Sequence, residues 1–249
     1  MKRLSILVLS VIILFGCYKE SDHKAEKVGQ YNSTVNMYVE SPTIPADSFS
    51  TSRIIVTLPY DADSTKSSIQ LRTDLGTFVE SNSNAIQLQA RQNSDSIKRI
   101  AIATLKSGTK TGVAHIQAII QTQQKNLAVT FSNSYPDYFL FSASNLSVKP
   151  STGSPGEVTF NTKLLKQSGF PSQGNIMSVN VLDTNNHQLG LYRLKNPYSD
   201  VGGNSQFIFV LGDSTVNSTN YTGKMFAIAS TDKAPGSSIT DTLILVSSK

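Results

Sequence analysis

From Val35 onward, apolar residues recur at every second position in short runs, and each run stops at Gly, Pro, Asn, Asp or Ser. That period belongs to a strand with one buried face, because successive side chains leave a pleated backbone on opposite sides. No stretch keeps an apolar helical stripe for the length of a helix. A chain patterned this way has to pair its strands into sheets and pack the sheets face to face, so an all-β sandwich architecture is predicted.

The runs fall into two sets. In the first, Val35, Met37 and Val39 alternate with polar residues, and Ser52 to Leu58 puts Ile54, Val56 and Leu58 on one face. Ile69 and Leu71 precede the turn residues Asp74-Leu75-Gly76, and Ile86 and Leu88 follow. Ile97 to Leu105 has one face of Ile100 and Ile102 and another of Ala101, Ala103 and Leu105. After Ser107-Gly108, Val113 to Ile120 aligns Ala114, Ile116, Ala118 and Ile120. These runs predict one sandwich over 35–124.

A second sandwich is predicted over 125–249. Its strands are Leu127–Phe131, Tyr138–Ala143, Val158–Leu165, Ile176–Leu182, Leu191–Leu194, Phe207–Leu211, Lys224–Ala229 and Leu243–Val246. The boundary is placed at Gln124 to Leu127, and so short a linker predicts a semi-rigid pair. The two sets share one pattern. Thr111-Gly112-Val113-Ala114-His115-Ile116-Gln117-Ala118 matches Thr222-Gly223-Lys224-Met225-Phe226-Ala227-Ile228-Ala229 in glycine position and alternation, and the strand at Arg53-Ile54 matches that at Glu157-Val158. An offset of roughly 105–110 residues is the length of one sandwich of seven or so strands.

The N-terminus has a different character. Lys2 and Arg3 precede an apolar run from Leu4 to Phe15, too short to span a bilayer as a mature helix, so 1–16 is read as a secretory signal peptide. Leu14-Phe15-Gly16-Cys17 resembles the lipobox of bacterial lipoproteins, in which the cysteine is acylated. Cys17 is the single cysteine of the chain, consistent with a thiol used for lipid. The resemblance implies a palmitate-type anchor, and Tyr18 in place of Asp implies the outer membrane, with outward and periplasmic orientations both open. Lys19-Glu20 loosely resembles a surface-export signal. The polar stretch 17–34 is read as a flexible tether.

Further motifs carry a second resemblance. Ile44-Pro45-Ala46-Asp47-Ser48-Phe49, the turn Thr73-Asp74-Leu75-Gly76-Thr77-Phe78 and the strand after Gly112 resemble the bacterial Ig-like domains of the invasin/intimin type. The resemblance covers about Val35 to Ile120. In the second half it rests on Gly169-Phe170-Pro171-Ser172-Gln173-Gly174 and Gly223. It implies two tandem Ig-like β-sandwiches and a role as stalk, spacer or adhesive module. With no tryptophan and one cysteine, the disulfide-pinned antibody variety is excluded.

Chemistry for catalysis does not assemble in the sequence. His23, His115 and His187 are the only histidines, with no ligand spacing around them, so no metal or cofactor is predicted and the chain is read as non-enzymatic. Asp61-Ala62-Asp63-Ser64 has alternate oxygens but no glycine turn or closing Glu, and is read as a solvated loop. Gly202-Gly203 lacks the spacing of a phosphate loop. The formal charge of +5 falls to +3 without the two signal cations, and the remainder is not clustered with aromatics, so no nucleic-acid partner is predicted.

What remains is surface. Asp63-Ser64, Asp95-Ser96, Asp213-Ser214 and Asp241-Thr242, each followed by Thr or an apolar residue, resemble the O-glycosylation motif of Bacteroidota exported proteins, marking Ser64, Ser96, Ser214 and Thr242. Tyr60, Tyr192, Tyr198 and Tyr221 fall at loops or strand ends, and the last three are the tentative ligand contacts on the outer sandwich. The chain is therefore expected to be a non-catalytic envelope lipoprotein, a surface spacer or adhesion module whose outer domain meets an unknown protein or glycan. The rival expectation is a glycan-binding accessory lipoprotein of a polysaccharide uptake system.

Overall fold

The computed structural model describes residues 35–59, 67–92, 98–149, 156–212 and 221–248, and the regular structure among them is entirely β. In the first sandwich, one sheet runs β1 (Asn36–Val39), β3 (Thr51–Pro59), β8 (Lys98–Lys106) and β5 (Thr77–Phe78), with β7 (Arg91–Gln92) also paired to β8. The facing sheet runs β2 (Thr43–Pro45), β10 (Gln123–Ser132), β9 (Gly112–Ile120), β4 (Ser68–Thr73) and β6 (Ala85–Gln89). The second sandwich repeats the plan. One sheet runs β11 (Tyr138–Ala143), β13 (Gly156–Leu165), β16 (Asn204–Leu211) and β15 (Leu191–Asn196). The other runs β12 (Ser147–Val148), β18 (Ser237–Ser247), β17 (Gly223–Ala234) and β14 (Met177–Leu182).

In each sandwich the opening segment pairs with one sheet and then crosses to the other, where it lies parallel to the last strand: β2 on β10, and β12 on β18. The other ladders are antiparallel. Crossing lets one chain edge cover both sheets and leaves less unpaired backbone at the rim. The cores form as the alternation predicts. Ile54, Val56 and Leu58 from β3, with Ala101, Ala103 and Leu105 from β8, face Ala114, Ile116, Ala118 and Ile120 from β9, all buried. Phe160, Phe207 and Phe209 fill the second core, with Phe160 and Phe209 ring centroids 6.2 Å apart.

The predicted boundary at Gln124/Lys125 needs correcting. β10 pairs with β9 over nine residues, from Gln123↔Ile120 to Phe131↔Gly112, and Val129 and Phe131 are buried in the first core. The first sandwich therefore extends through Ser132, and the second starts its pairing at Tyr138. Leu127–Phe131 looked like an opening strand because Ile119-Ile120 looked like a terminus. In fact the chain reverses at Gln121, whose φ of +53° makes a tight hairpin between β9 and β10.

The two sandwiches meet in a hydrogen-bonded joint. The loop before β14 lies against the turn before β3: the Phe170 amide donates to the Asp47 carbonyl at 2.9 Å, and the Ser172 hydroxyl to the Ala46 carbonyl at 3.0 Å. The Gln173 amide donates to the Thr109 carbonyl at 2.8 Å. Ser134, Ser172, Asn175 and Ser199 are buried there, and Asn175 Nδ2 donates to the carbonyls of both Ser134 and Ser172. Buried polar groups fully paired in this way specify one arrangement of their neighbours. Gly169 lies close against this contact: at φ +73°, a Cβ there would come 2.9 Å from the Asp47 carbonyl oxygen.

Asp47 organises the first sandwich's half of the joint. Burial alone raises its carboxyl, but the amides of Ser50 and Phe49, with the hydroxyls of Ser50 and Ser107, outweigh that and hold it below its ordinary range. A lowered folded pKa gives stability that is complete above the unfolded value of about 4 and is lost as pH falls through the folded one. The wild type should accordingly lose melting temperature on acidification below about pH 4 more steeply than Asp47→Asn, which starts lower at neutral pH. Parallel curves for the two proteins would contradict this assignment.

Candidate functional site

The three tentative tyrosines do not form one platform. Tyr192 turns inward at a bulge in β15, its ring edge-on to Phe207 and Phe209, and its hydroxyl donates to the Val179 carbonyl at 2.7 Å. Val179 lies on β14, the outer strand of the opposite sheet, so this hydroxyl satisfies a backbone acceptor at a sheet edge. Burial pushes the Tyr192 phenol well above its ordinary range. Tyr192→Phe should cost about 1 kcal/mol in urea unfolding, the net worth of one buried hydrogen bond. It should also make the loss of stability above about pH 10 shallower than in the wild type, because there only the unfolded chain ionises this phenol.

Tyr221 packs against the second core, and its hydroxyl donates to the Lys224 carbonyl. Tyr198 is exposed and bridges Ile176 near the joint. The remaining sequence candidates divide simply. Cys17, Ser64, Ser96 and Ser214, along with Tyr60, His23 and the Asp61–Ser64 loop, lie outside the described residues. Thr242 is exposed on β18.

His115 and His187 each sit beside an aspartate. His115 is exposed on β9, its Nδ1 2.8 Å from Asp74 Oδ2 while its amide donates to Asp74 Oδ1. Those bonds hold the Asp74 carboxyl below its ordinary range. With Arg72, Gln117 and Asn126 the pair lines a shallow cleft of about 420 Å³. His187 lies in the turn after β14, and its amide and those of its neighbours close on Asp183. Among the described residues no three His, Cys, Asp or Glu side chains converge as metal ligands.

The repeat brings out the main surface feature. β9 and β17 are equivalent through Gly112 and Gly223, both at positive φ, and they occupy equivalent places in their sheets. On the outward face of the first sandwich one row across three strands reads Asp74, His115, Ala128, and the next Arg72, Gln117, Asn126. The same rows of the second sandwich read Leu182, Phe226, Ile244 and Asn180, Ile228, Thr242. An ion pair on the first sandwich is thus replaced by an apolar stripe on the second. Ile244 is 53% and Val246 43% exposed, while Phe226 and Ile228 are half-buried and outside the core cluster. Asn180, Thr242 and the hydrogen-bonded Ser178–Ser230 pair border the stripe with neutral polar groups.

The repeat aligns His115 with Phe226, but the sequence reading seeks ligand contacts among tyrosines at loops and strand ends. The signal it passed over was Phe226, Ile228 and Ile244 at outward parity, where the first repeat has His, Gln and Ala.

No family model matches the chain, and no curated protein matches it. Solved structures do. The adhesin InvE of Yersinia pseudotuberculosis superposes with a TM-score of 0.51 at 14% identity, over 84% of this chain and 58% of that one. Invasin, described as a bacterial integrin-binding protein, gives 0.51 at 15% identity, over 87% of this chain and 40% of that one. This chain therefore spans about half the length of the adhesins it matches, and the likeness lies in the backbone. Two Ig-like sandwiches in tandem, of the kind found in the invasin-type adhesins, are the fold of this protein.

Proposed function

We propose that the protein is a non-catalytic lipoprotein of the cell envelope, anchored through Cys17, whose outer sandwich binds a protein partner with the β14–β17–β18 face. The observation that carries the reading is the apolar row Leu182–Phe226–Ile244, set where the inner sandwich has Asp74–His115–Ala128. A partly exposed apolar row, with neutral polar groups on one side and the cation Lys224 in the next row on the other, matches the anatomy of protein interfaces, in which charge is depleted at the centre and kept to the rim. The inner sandwich, bearing charges on the equivalent face, serves as the spacer. The joint supports this division, since hydrogen bonds between the sandwiches hold the outer face in one orientation. The shared fold with surface adhesins agrees with an adhesive role and with an outward orientation.

Two experiments test it. Cys17→Ser should abolish palmitate labelling and release the protein from membranes. A photo-crosslinking residue in place of Ile244 should yield a discrete protein adduct in living cells, lost on Phe226→Asp, while one at the equivalent Ala128 yields none. Equal crosslinking from both positions, or an adduct indifferent to Phe226→Asp, would overturn the assignment of the face.

A further inference from the structure

The opposite face of the outer sandwich carries a second site of different chemistry, independent of the protein-partner reading. A cleft of about 560 Å³ opens on the β11–β13–β16–β15 sheet, within the size range of small-ligand sites. One row of side chains, Ser142, Asn161, Gln206 and Asn196, crosses all four strands in register. At the strand spacing of a sheet this row is about 14 Å long. Gln206 Nε2 donates to Asn161 Oδ1 at 3.1 Å. That bond orients both amides and leaves the Asn161 Nδ2 donor beside the Gln206 Oε1 acceptor.

The rest of the lining narrows the ligand class. The one cation in the cleft, Lys163, lies near the one anion, Asp200, whose carboxyl is held below its ordinary range first by hydrogen bonds from Asn204 and also by this ammonium. Farther along the sheet Arg193 is paired with Glu157 at 2.7 Å. The cleft lining thus carries one charge of each sign, which offers neither net charge to a phosphate nor a basic track to a polyanion. Along β11, at the same outward parity as Ser142, stand Leu140 and Tyr138, 57% and 48% exposed. Paired donors and acceptors suit groups that donate and accept together, as hydroxyls do. The exposed aliphatic side chain of Leu140, part of the cleft lining, suits the C–H face of a ring that is apolar on one side.

We infer that this cleft is a saccharide-binding site for a neutral oligosaccharide, in which Asn161, Gln206 and Asn196 hydrogen-bond the hydroxyls and Leu140 contacts the apolar ring face. The amide row has the length of about three pyranose rings, so the site reads a short internal stretch of a chain. A single sugar would fill only part of it.

The test is isothermal titration calorimetry of the complete folded region with neutral hexasaccharides of glucose, mannose, xylose and N-acetylglucosamine. At least one should bind, and Asn161→Ala with Gln206→Ala should weaken it about tenfold or more, the loss of two hydrogen bonds. Leu140→Ala should weaken it separately, whereas Phe226→Asp on the other face should leave it unchanged. Melting curves establish that each variant is folded, and Asn161→Asp serves as a second probe should the double variant fail to fold. If none of the four sugars binds, or if binding ignores both amide substitutions, the inference is wrong.

Discussion

Gly190→Ala is expected to destabilise the second sandwich strongly and leave the first unaffected. Gly190 sits at φ +62° between the turn after β14 and the start of β15, a conformation that costs an L-residue about 1 kcal/mol or more. A methyl there would overlap the edge of the Phe209 ring and come 2.5 Å from the Val210 carbonyl oxygen. Neither neighbour can yield. Phe209 is fully buried, packed against Phe160 and Tyr192, and Val210 pairs with Glu157 and Leu191 in the sheet. Overpacking a core of this kind costs a further 1–3 kcal/mol or so. Together these reach a large part of the stability of about 5–15 kcal/mol that a domain has in total. The two cores are separate clusters, so the damage should stay local. Hydrogen exchange read by mass spectrometry should show protection reduced in the strands β11 to β18 and kept in β1 to β10. Protection unchanged throughout, or lost in both halves, would refute the geometry or the independence of the cores.

The second large effect concerns where the first sandwich ends. A fragment Val35–Gln124 should fail to fold, while Val35–Ser134 should unfold cooperatively as a β-protein. The shorter fragment lacks most of β10, which contributes the ladder to β9, the parallel partner of β2, and the buried side chains Val129 and Phe131. Deleting one large buried aromatic already costs about 3–5 kcal/mol. Here β9 would also be left as a bare apolar edge, open to aggregation. Circular dichroism and a urea titration distinguish the two fragments, and a cooperative transition from Val35–Gln124 would restore the boundary suggested by the sequence.

Much of the fold is legible along the chain. Ile54, Val56 and Leu58, or Ala114 to Ile120, declare their buried face because a sheet's side-chain period is two and a slip of one residue would expose the whole set. The repeat between Gly112 and Gly223 likewise places β9 and β17 in equivalent positions before any coordinates are known. The boundary is less legible because β10 has the same local pattern whether it closes one sandwich or opens the next. Only the partner strand distinguishes the two, and pairing lies outside any local window. Tyr192 illustrates the same limit: a tyrosine near a strand end suggests a rim residue, but a bulge in β15 turns it inward to an acceptor on the other sheet.

Composition and period were enough to impose an all-β chain with two apolar cores, because burying alternate residues is a local requirement repeated in every strand. Which outward residues come together in rows was decided by tertiary structure alone. Asp74 meets His115, Phe226 meets Leu182 on one side and Ile244 on the other, and Asn161 meets Gln206 only through register between strands. The joint has the same origin: Gly169-Phe170-Pro171-Ser172 and Ala46-Asp47 are unremarkable turns until the second sandwich docks on the first and each supplies the other's missing hydrogen bonds. Local pattern decides which side of a strand is buried, whereas the rows of outward residues that make a site arise from long-range pairing.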